Sequence, residues 1–379
     1  MKILLVEPNY YSRYPPLGLL KLASYYRAYG NKVYYVVGAD GSTDKIEKIR
    51  QIDITSLFTY AWKPVHQAIG YYHALFPEAR INVGGIYATL MPEHIKKRYP
   101  FVNVHMGLHP KAESRMPAYD ILKTIDKWKE WDSSIVFTSR GCVRKCPFCV
   151  VPKIEGGMRD EKTSIIDLMH PSHKKVTIWD NNFLASPYAK SMLRELIDNG
   201  IEADFNQGLD ARLIDAETAG LLADVRSKSI HMAYDWPWEG PFVKRAIDLL
   251  SGAGYRRKNL IFYMLYNFWD DKHRKGDTPI DFLNRLQDLM GWGVSAYPMR
   301  FIPLDALERN SYVSPLWTKD QLEMVADARR VLGYAGTFVS YRGFVDKIAS
   351  AMNFEEAMEL RPLKPKTKNM VPAMAPEVY

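Results

Sequence analysis

The sequence predicts an α/β protein with an N-terminal doubly wound parallel sheet, then a partial (β/α)6 barrel, and then a helical C-terminal extension. Three observations predict this class. Short apolar segments of strand type alternate with segments of helical spacing as far as about residue 303. One proline- and tryptophan-containing segment, 110–134, interrupts the alternation like a connector, and after Pro303 only helical spacing remains. The predicted domains are therefore residues 1–125, 126–303 and 304–379.

In the first domain, the apolar residues 2–6 predict a strand that is broken by Glu7-Pro8-Asn9. A helix should follow, because leucines recur at helical spacing from Leu19 and Gly30 stands at the position of a C-terminal cap. The alternation continues with further strands and a helix. They are predicted at 32–37, 52–59 and 80–83 for the strands and at 63–76 for the helix. Strands alternating with helices indicate parallel pairing with crossover helices.

The second domain shows six strand candidates separated by helical patterns. The strands are predicted at 135–138, 176–179, 203–205, 229–234, 260–266 and 294–302. A typical intervening helix is entered through Thr278-Pro279 and ends at Gly291. Two further helices are expected, one ending at Gly333 and one near 342–360, covering the mouth or side of the barrel. The proline-rich and basic segment 361–379 is expected to be mobile or to act as a latch.

Composition limits the classes of function. The chain has 379 residues, 47% of them hydrophobic and 13% aromatic, which is ample for packed cores. No apolar run approaches the roughly 20 residues that span a bilayer, and Glu7 comes too early for a signal peptide. We therefore expect a cytoplasmic protein without a membrane partner. Three cysteines within eight positions are not a disulfide framework and suit a reducing compartment.

The net charge of +8 is a modest excess, from 51 basic and 43 acidic residues. It permits an anionic partner without requiring one. Basic clusters that could contact phosphates, or else simply be solvated helix ends and loops, occur at 96–98, 174–175, 256–258 and 272–275.

Polar residues follow almost every predicted barrel strand. In parallel barrels the catalytic groups gather at the carboxyl ends of the strands, so this pattern predicts a lined pocket. Any single one of them could instead cap the next helix. The segments are 138–141 after the first strand, 180–183 after the second, 206–212 after the third, 235–237 after the fourth and 298–300 at the sixth.

All three cysteines, Cys142, Cys146 and Cys149, lie after the first barrel strand at the spacing C-x3-C-x2-C. Three thiolates this close can bind one metal centre. A cubane iron–sulfur cluster held by three cysteines keeps its fourth iron free for a small ligand, which suggests chemistry at the metal. The alternative is a structural zinc site, which needs four closed ligands, and no histidine occurs between His109 and His170 to supply the fourth nearby.

This spacing, with Phe148 directly before the last cysteine, resembles that of the radical S-adenosylmethionine (radical SAM) superfamily. The resemblance implies that Cys142, Cys146 and Cys149 hold a 4Fe-4S cluster and that the open iron chelates the amino and carboxylate groups of SAM. Reductive cleavage of SAM would then release a 5′-deoxyadenosyl radical. The resemblance places Phe148 against the adenine, and it implies an external electron donor such as flavodoxin or ferredoxin.

The resemblance also implies which strand ends contact SAM. The segment after the second strand hydrogen-bonds the methionyl ammonium in the superfamily, which projects this role onto Asp180, Asn181 and Asn182. These residues replace the usual glycine-glycine-glutamate, but their oxygens still provide the acceptor that an ammonium needs. The end of the third strand commonly meets the ribose and carboxylate of SAM. The candidates there are Asn206, Gln207, Asp210 and Arg212.

Residues 1–115 resemble the cobalamin-binding-type, Rossmann-like domain that precedes many radical SAM cores. The matching segments are Pro15 to Leu19, Gly84 to Thr89 and Pro92-Glu93. The D-x-H-x-x-G motif, whose histidine ligates cobalt, is missing, because the glycine after His66 comes four positions later at Gly70. We therefore expect a domain without cobalamin that acts as a lid, its loops 7–14, 57–62 and 84–91 facing the barrel mouth.

The function expected from the sequence is reductive cleavage of SAM and hydrogen abstraction from an unidentified substrate, which could be a small molecule, a peptide or a nucleic acid. With cobalamin, methylation of an unactivated carbon is expected instead. The alternative of another class is a non-enzymatic metal-containing protein that binds nucleic acid through its basic clusters.

Overall fold

The structure is a computed structural model that describes residues 1–360. The segment 361–379, expected to be mobile or a latch, lies outside these described residues. None of the helices described is both long enough and apolar enough to cross a membrane.

The N-terminal part is a five-stranded parallel sheet with the strand order β2-β1-β3-β4-β5. Its strands are β1 (Lys2–Glu7), β2 (Lys32–Val37), β3 (Ile49–Ser56), β4 (Arg80–Gly85) and β5 (Asn103–Val104). Its helices are α1 (Leu17–Ala28), α2 (Trp62–Leu75), α3 (Ile86–Leu90), α4 (Pro92–Arg98) and α5 (Pro110–Glu113). The strand order reverses between β1 and β3, and ligands of open α/β sheets bind outside the carboxyl ends of the strands at such a point.

The apolar run of β1 explains why the sheet is covered on both faces. Leu4 and Val6 pack into the core cluster that contains Val65 of α2, whereas Ile3 packs with Leu19 of α1 on the opposite face. A strand whose two faces are both buried has to be apolar at successive positions, as is usual in parallel sheets.

The second part is a row of six parallel strands in two three-stranded sheets, β6-β7-β8 and β9-β10-β13. Only isolated bridges, Glu202 to Arg226 and Leu209 to Met232, join the end of the first sheet to the second. The row is curved and partial, and among residues 1–360 it does not close into a barrel. Its strands are β6 (Ser133–Val136), β7 (Lys175–Ile178), β8 (Glu202–Phe205), β9 (Ile230–Ala233), β10 (Leu260–Tyr266) and β13 (Ser295–Arg300).

The helices of this part cover the outer face of the row, and a small antiparallel hairpin lies between β10 and the last of these helices. The helices are α6 (Val151–Ile154), α7 (Ala189–Asp198), α8 (Ala216–Asp224), α9 (Gly240–Gly252) and α10 (Pro279–Gly291), and the hairpin is β11 (Trp269–Asp270) with β12 (Lys275–Gly276). As predicted, α10 begins with Thr278, whose hydroxyl accepts the Asp281 N–H at 3.1 Å in a capping box.

The C-terminal helices are α11 (Lys319–Val331), α12 (Arg342–Ser350) and α13 (Phe354–Met358). The helix predicted near 342–360 is thus two helices, because α12 ends at Ser350 and Asn353 caps the next one with its side chain. Apolar side chains of these helices pack into the hydrophobic core of the barrel part. The Phe338 segment pairs antiparallel with Ala296 and so covers the free edge of β13.

The connector between the two parts is tied to the end of β1. Glu7 is buried and accepts hydrogen bonds from the Trp128 Nε1–H at 2.8 Å and the Tyr35 hydroxyl at 2.6 Å, and it pairs with the Lys127 ammonium at 2.5 Å. The connector therefore fixes the carboxyl edge of the N-terminal sheet next to the entry of β6. The predicted domain limits at 125/126 and 303/304 stay a prediction.

Candidate active site

The three cysteines lie on the loop that follows β6, at the carboxyl end of this strand. Gly141 begins the loop with a φ of 75°, and a Cβ at this position would lie 2.1 Å from the Gly157 carbonyl oxygen. The Cys142 N–H donates to the neighbouring Gly156 carbonyl at 3.2 Å. The cysteine loop can lie this close to the Gly156-Gly157 segment only because residue 141 has no side chain.

Glu155 holds the start of the cysteine loop in place. Its Oε2 accepts hydrogen bonds from the Gly141 N–H at 2.9 Å and from the Asn181 Nδ2 at 3.1 Å, and its Oε1 lies 3.3 Å from Arg140 Nη1. The buried Arg140 also pairs with Glu113 of α5, in the N-terminal part. Burial acts to raise the pKa of Glu113, but Arg140 holds this pKa below its ordinary value.

The three thiols are half-buried and close enough to influence one another. Burial, and then the proximity of Cys149, raise the pKa of Cys146 to about 11. Burial also raises the pKa of Cys149, and the nearby Cys142 adds to this rise. The Cys142 sulfur accepts the Arg144 N–H at 3.3 Å and faces Asn182 Nδ2 at 3.8 Å.

The chemistry of this donor set fits a three-thiolate metal centre. Within residues 1–360, no three His, Cys, Asp or Glu side chains lie close enough together to hold a metal ion without moving. The fit of the cysteines to a cluster is therefore argued from their chemistry. The three sulfurs lie on one loop and influence one another, and two N–H donors face the Cys142 sulfur. Such donors are a means by which proteins stabilise and tune iron–sulfur clusters. Because the pKa values of two of the thiols are raised, metal binding would have to release protons.

The three residues predicted after the second barrel strand have separate surroundings. Asp180 is buried and accepts the Thr138 N–H at 2.6 Å, the Thr138 hydroxyl at 2.5 Å and the Ser139 hydroxyl at 2.8 Å. Asp180 therefore ties the carboxyl ends of the first two barrel strands together. Asn181 is bonded to Glu155, as described above.

Asn182 is the member of this group that keeps a free acceptor. It is 4% exposed, and its Oδ1 is buried without a hydrogen-bond partner among the described residues. Its Nδ2 donates to Asp210 Oδ2 at 3.2 Å and faces the Cys142 sulfur. A buried unpaired oxygen costs about 1–3 kcal/mol, so its presence beside the cysteine loop suits a ligand that donates a hydrogen bond.

Asp210 and Arg212, both predicted from the end of the third strand, form one charged network with the cysteine loop. Asp210 accepts Arg144 Nε at 2.9 Å and Arg212 Nε at 2.7 Å. Arg212 Nη1 also lies 3.4 Å from Glu239 Oε1. Burial acts to raise the pKa of Asp210, but Arg212 and then Arg144 keep it below its ordinary value. The network is therefore charged at neutral pH.

Phe148 lies against the ends of the fourth and fifth barrel strands. Its ring centroid is 6.3 Å from that of Trp236 and 5.5 Å from that of Phe268, and Phe268 in turn lies 4.9 Å from Phe301. Together these rings form an aromatic surface next to the cysteines. Nearby, burial and the charge of Glu239 raise the pKa of Asp235 to about 6.

Asn206 and Gln207 are not joined to this network. Asn206 donates to the Tyr14 hydroxyl of the N-terminal part, and Gln207 donates to Asn206 Oδ1 at 3.0 Å. Their expected contact with SAM stays a prediction. Tyr14 also packs edge-on against Trp179, with ring centroids 5.6 Å apart.

One of the three loops at the carboxyl edge of the N-terminal sheet, 7–14, contacts the end of a barrel strand as predicted, because the Tyr14 hydroxyl accepts a hydrogen bond from Asn206. The 57–62 loop instead contacts the segment after the last barrel strand, where the Trp62 Nε1–H donates to the Leu307 carbonyl at 3.2 Å. The third loop, 84–91, carries Tyr87, whose hydroxyl bonds to histidines of its own domain.

The basic clusters lie on separate elements: the end of α4, the start of β7, the segment before β10 and the β11–β12 hairpin. Several of their charges are already paired. Lys175 lies 2.5 Å from Asp132, and Arg257 lies 3.2 Å from Asp248. Binding of nucleic acid through these clusters stays a prediction.

Comparison with solved structures gives the fold. The radical S-adenosylmethionine methyltransferase TsrM from Kitasatospora setae, solved with cobalamin and a [4Fe-4S] cluster, aligns with a TM-score of 0.59 and 14% identity over 80% of this chain and 77% of TsrM. The cobalamin-dependent S-adenosylmethionine radical enzyme OxsB, solved with aqua-cobalamin, aligns with a TM-score of 0.55 and 16% identity over 77% of this chain and 52% of OxsB. No protein-family model and no curated protein sequence matches the chain.

This chain shares the fold of these two S-adenosylmethionine radical enzymes. The alignments cover both parts of the fold, so the fold class predicted from the sequence is confirmed. The absent histidine motif led to the expectation of a domain without cobalamin, whereas both of these solved structures of the same fold hold cobalamin.

Three residues of this site were missed by reasoning from the sequence. Arg144 lies between the cysteines, where its position was a usable signal, and Glu239 follows the polar end of the fourth strand. Glu155 gives no such signal, because it lies 14 positions from the Gly141 N–H that it binds.

Proposed function

We propose that this chain is a radical SAM enzyme in which Cys142, Cys146 and Cys149 hold a 4Fe-4S cluster and SAM binds at the adjoining strand ends. The observation that carries the proposal is the position of the chain's only cysteines, on the loop after the first barrel strand of a radical SAM fold. When bound, the cluster supplies the electron for reductive cleavage of SAM to methionine and a 5′-deoxyadenosyl radical, which abstracts hydrogen from the substrate.

The contacts of the strand ends support separate roles for these residues in SAM binding. Asp180 is occupied by Thr138 and Ser139, and Asn181 is occupied by Glu155. The unpaired Oδ1 of Asn182 is then the acceptor for the methionyl ammonium.

The carboxylate and the adenine of SAM have matching partners. Arg144 is part-exposed and bonds to Asp210 through Nε, and no partner for its two Nη atoms is found among the described residues, so its guanidinium can bind the carboxylate. The Phe148 ring, beside Trp236 and Phe268, offers the adenine a face to stack on. The charged Arg212 and Asp210 keep Arg144 in place for this contact.

The Asn182→Leu variant tests the ammonium contact. Leucine has a similar size but no acceptor, so the affinity of the reconstituted protein for SAM should fall about 10- to 100-fold. Equilibrium binding of SAM measures this effect. Asn199→Leu is the matched control, because Asn199 is exposed at the end of α7 and should leave the affinity unchanged. Wild-type affinity in the Asn182→Leu variant would remove Asn182 from the site.

Cobalamin-dependent methyl transfer is the second candidate, and the carboxyl edge of the N-terminal sheet supports it. Tyr11 is 81% exposed and Phe58 is 44% exposed at this edge, and Phe58 stacks on Tyr60 at 5.0 Å. Large exposed aromatic rings between two domains fit a wide, flat ligand such as a corrin ring. Cobalamin held there would supply a methyl group for transfer to an unactivated carbon.

Retention of cobalamin tests this candidate. Protein incubated with hydroxocobalamin and desalted should keep nearly stoichiometric cobalt absorbance. Phe58→Ala should weaken binding about tenfold, because it removes one apolar face of the site. Phe101→Ala is the control, since Phe101 is similarly exposed but lies just after α4, away from the loops of the carboxyl edge. Complete loss of cobalt on desalting the wild-type protein would refute methyl transfer and leave SAM cleavage standing.

A further inference from the structure

A hydrogen-bonded chain of His66, Tyr87 and His94 lies in the N-terminal domain, away from the cysteine loop. The Tyr87 hydroxyl lies 2.8 Å from His66 Nε2 and 2.5 Å from His94 Nδ1. Trp62 packs edge-on against both imidazoles, with ring centroids 4.9 and 5.2 Å away. The Tyr87 hydroxyl can donate to only one of the two histidines and must accept from the other.

The second ring nitrogen of His66 has no hydrogen-bond partner within residues 1–360. His66 is 4% exposed, yet its Nδ1 is buried without a hydrogen bond. Burial, followed by the charges of His94 and Arg98, lowers the pKa of His66 to about 4. The imidazole is therefore neutral at pH 7, and its tautomer with a proton on Nδ1 presents a donor that nothing in the domain satisfies.

This histidine lines a cavity of ≈ 330 Å³ between α2 and the end of α4. The cavity is lined by Trp62, Lys63, His66, Gln67, Gly70, Arg98 and Tyr99. Gly70 leaves room in the wall, because the nearest atom to a Cβ there would be the Tyr99 hydroxyl oxygen at 3.7 Å. The volume is at the lower end of the range for small-molecule pockets.

The lining of the cavity is basic, with no acidic residue among it. Lys63 and Arg98 are exposed at its rim, and neither makes an ion pair with another residue in the range 1–360. Arg98 lies only near the face of the Tyr99 ring, at 5.7 Å. Two cations at the rim, unpaired within residues 1–360, and the buried imidazole of His66 in the wall form a site for a compact anion with several acceptor oxygens.

We propose that this cavity binds a phosphate group, with Lys63 and Arg98 providing the charge and His66 Nδ1–H donating a buried hydrogen bond. A phosphate offers acceptors in several directions, which suits a cavity whose donor-bearing side chains belong to two different helices, Lys63 and His66 to α2 and Arg98 to the end of α4. The rings of Trp62 and Tyr99 remain beside the phosphate as apolar walls for the organic part of a phosphate monoester. The site is independent of SAM cleavage.

Titration of the purified full-length protein with inorganic phosphate and, separately, with adenosine 5′-monophosphate tests the proposal by calorimetry at low ionic strength. Saturable binding of one ligand per chain is expected. Equal affinity for both ligands would identify free phosphate as sufficient, and binding of the nucleotide alone would identify a phosphate monoester that also uses the aromatic walls. Absence of saturable binding by either ligand would overturn the proposal.

Paired variants separate a built site from general attraction of anions. The Lys63→Ala/Arg98→Ala variant should weaken binding at least about tenfold, since it removes two charge-assisted contacts. The Lys96→Ala/Lys97→Ala variant removes the same charge from exposed positions of α4 that do not line the cavity, and it should bind like the wild type. Equal weakening in both variants would overturn the proposal. All four side chains are exposed, so neither variant should impair folding.

Discussion

The Cys142→Ala variant is expected to lose the brown iron–sulfur chromophore and the cleavage of SAM together, and Cys146→Ala and Cys149→Ala should behave in the same way. The chain contains no other cysteine, so two thiolates would remain to hold a cubane that needs at least three. Iron and sulfide content, the visible absorbance after anaerobic reconstitution and the rate of SAM turnover measure the effect. Turnover should fall to the uncatalysed background.

Val143→Ala is the matched control for the cysteine variants. Val143 lies on the same loop and is exposed, so its truncation should leave the iron content and the turnover near wild-type values. Stoichiometric zinc without iron in anaerobically purified wild-type protein would contradict the account, because it would identify the loop as a structural site.

The Arg285→Met variant should have the largest effect on stability. Arg285 is 0% exposed and pairs with the buried Asp277, and its guanidinium donates to the Tyr234 carbonyl at 2.7 Å and to the Leu265 carbonyl at 3.0 Å. Methionine would leave a buried carboxylate without its counter-ion and two carbonyls without donors. Removing one member of a buried ion pair typically costs about 3–5 kcal/mol of unfolding free energy.

The midpoint of urea unfolding measures this loss. Arg245→Met is the control, because Arg245 is an exposed arginine on α9 and its replacement should change the unfolding free energy by less than about 0.5 kcal/mol. Equal midpoints for the two variants would show that Arg285 does not stabilise the fold. Because Tyr234 and Leu265 lie at the carboxyl ends of β9 and β10, the Arg285 variant should also disturb the neighbouring Asp235, which accepts the Leu265 N–H at 2.9 Å.

Much of the fold was predictable because parallel strands buried on both faces appear in a sequence as short continuous apolar runs. Both ends of every barrel strand lie within two residues of their predicted positions, and β10 spans Leu260–Tyr266 as predicted. The edge strand β5 was missed, since its two residues, Asn103–Val104, are too short to show any period. The break in the 342–360 helix was missed as well, although Asn353 is a typical cap.

The parts of the candidate site that depend on one short segment of sequence were predictable. The cysteine spacing is local, and so is the row of polar residues after each strand. The distinct contacts of Asp180, Asn181 and Asn182 were not predictable, because they depend on partners 26 to 42 positions away, such as Thr138 for Asp180 and Cys142 for Asn182. The expectation of a domain without cobalamin rested on one absent histidine motif. A motif that supplies a single ligand does not determine what a site formed by several loops can bind.

Formation of 5′-deoxyadenosine tests the central claim most directly. The anaerobically reconstituted protein, given dithionite and SAM, should release 5′-deoxyadenosine, and the Cys142→Ala variant under the same conditions should release none above background. A wild-type protein that carries a full complement of iron and sulfide and binds SAM, yet forms no 5′-deoxyadenosine, would contradict the account.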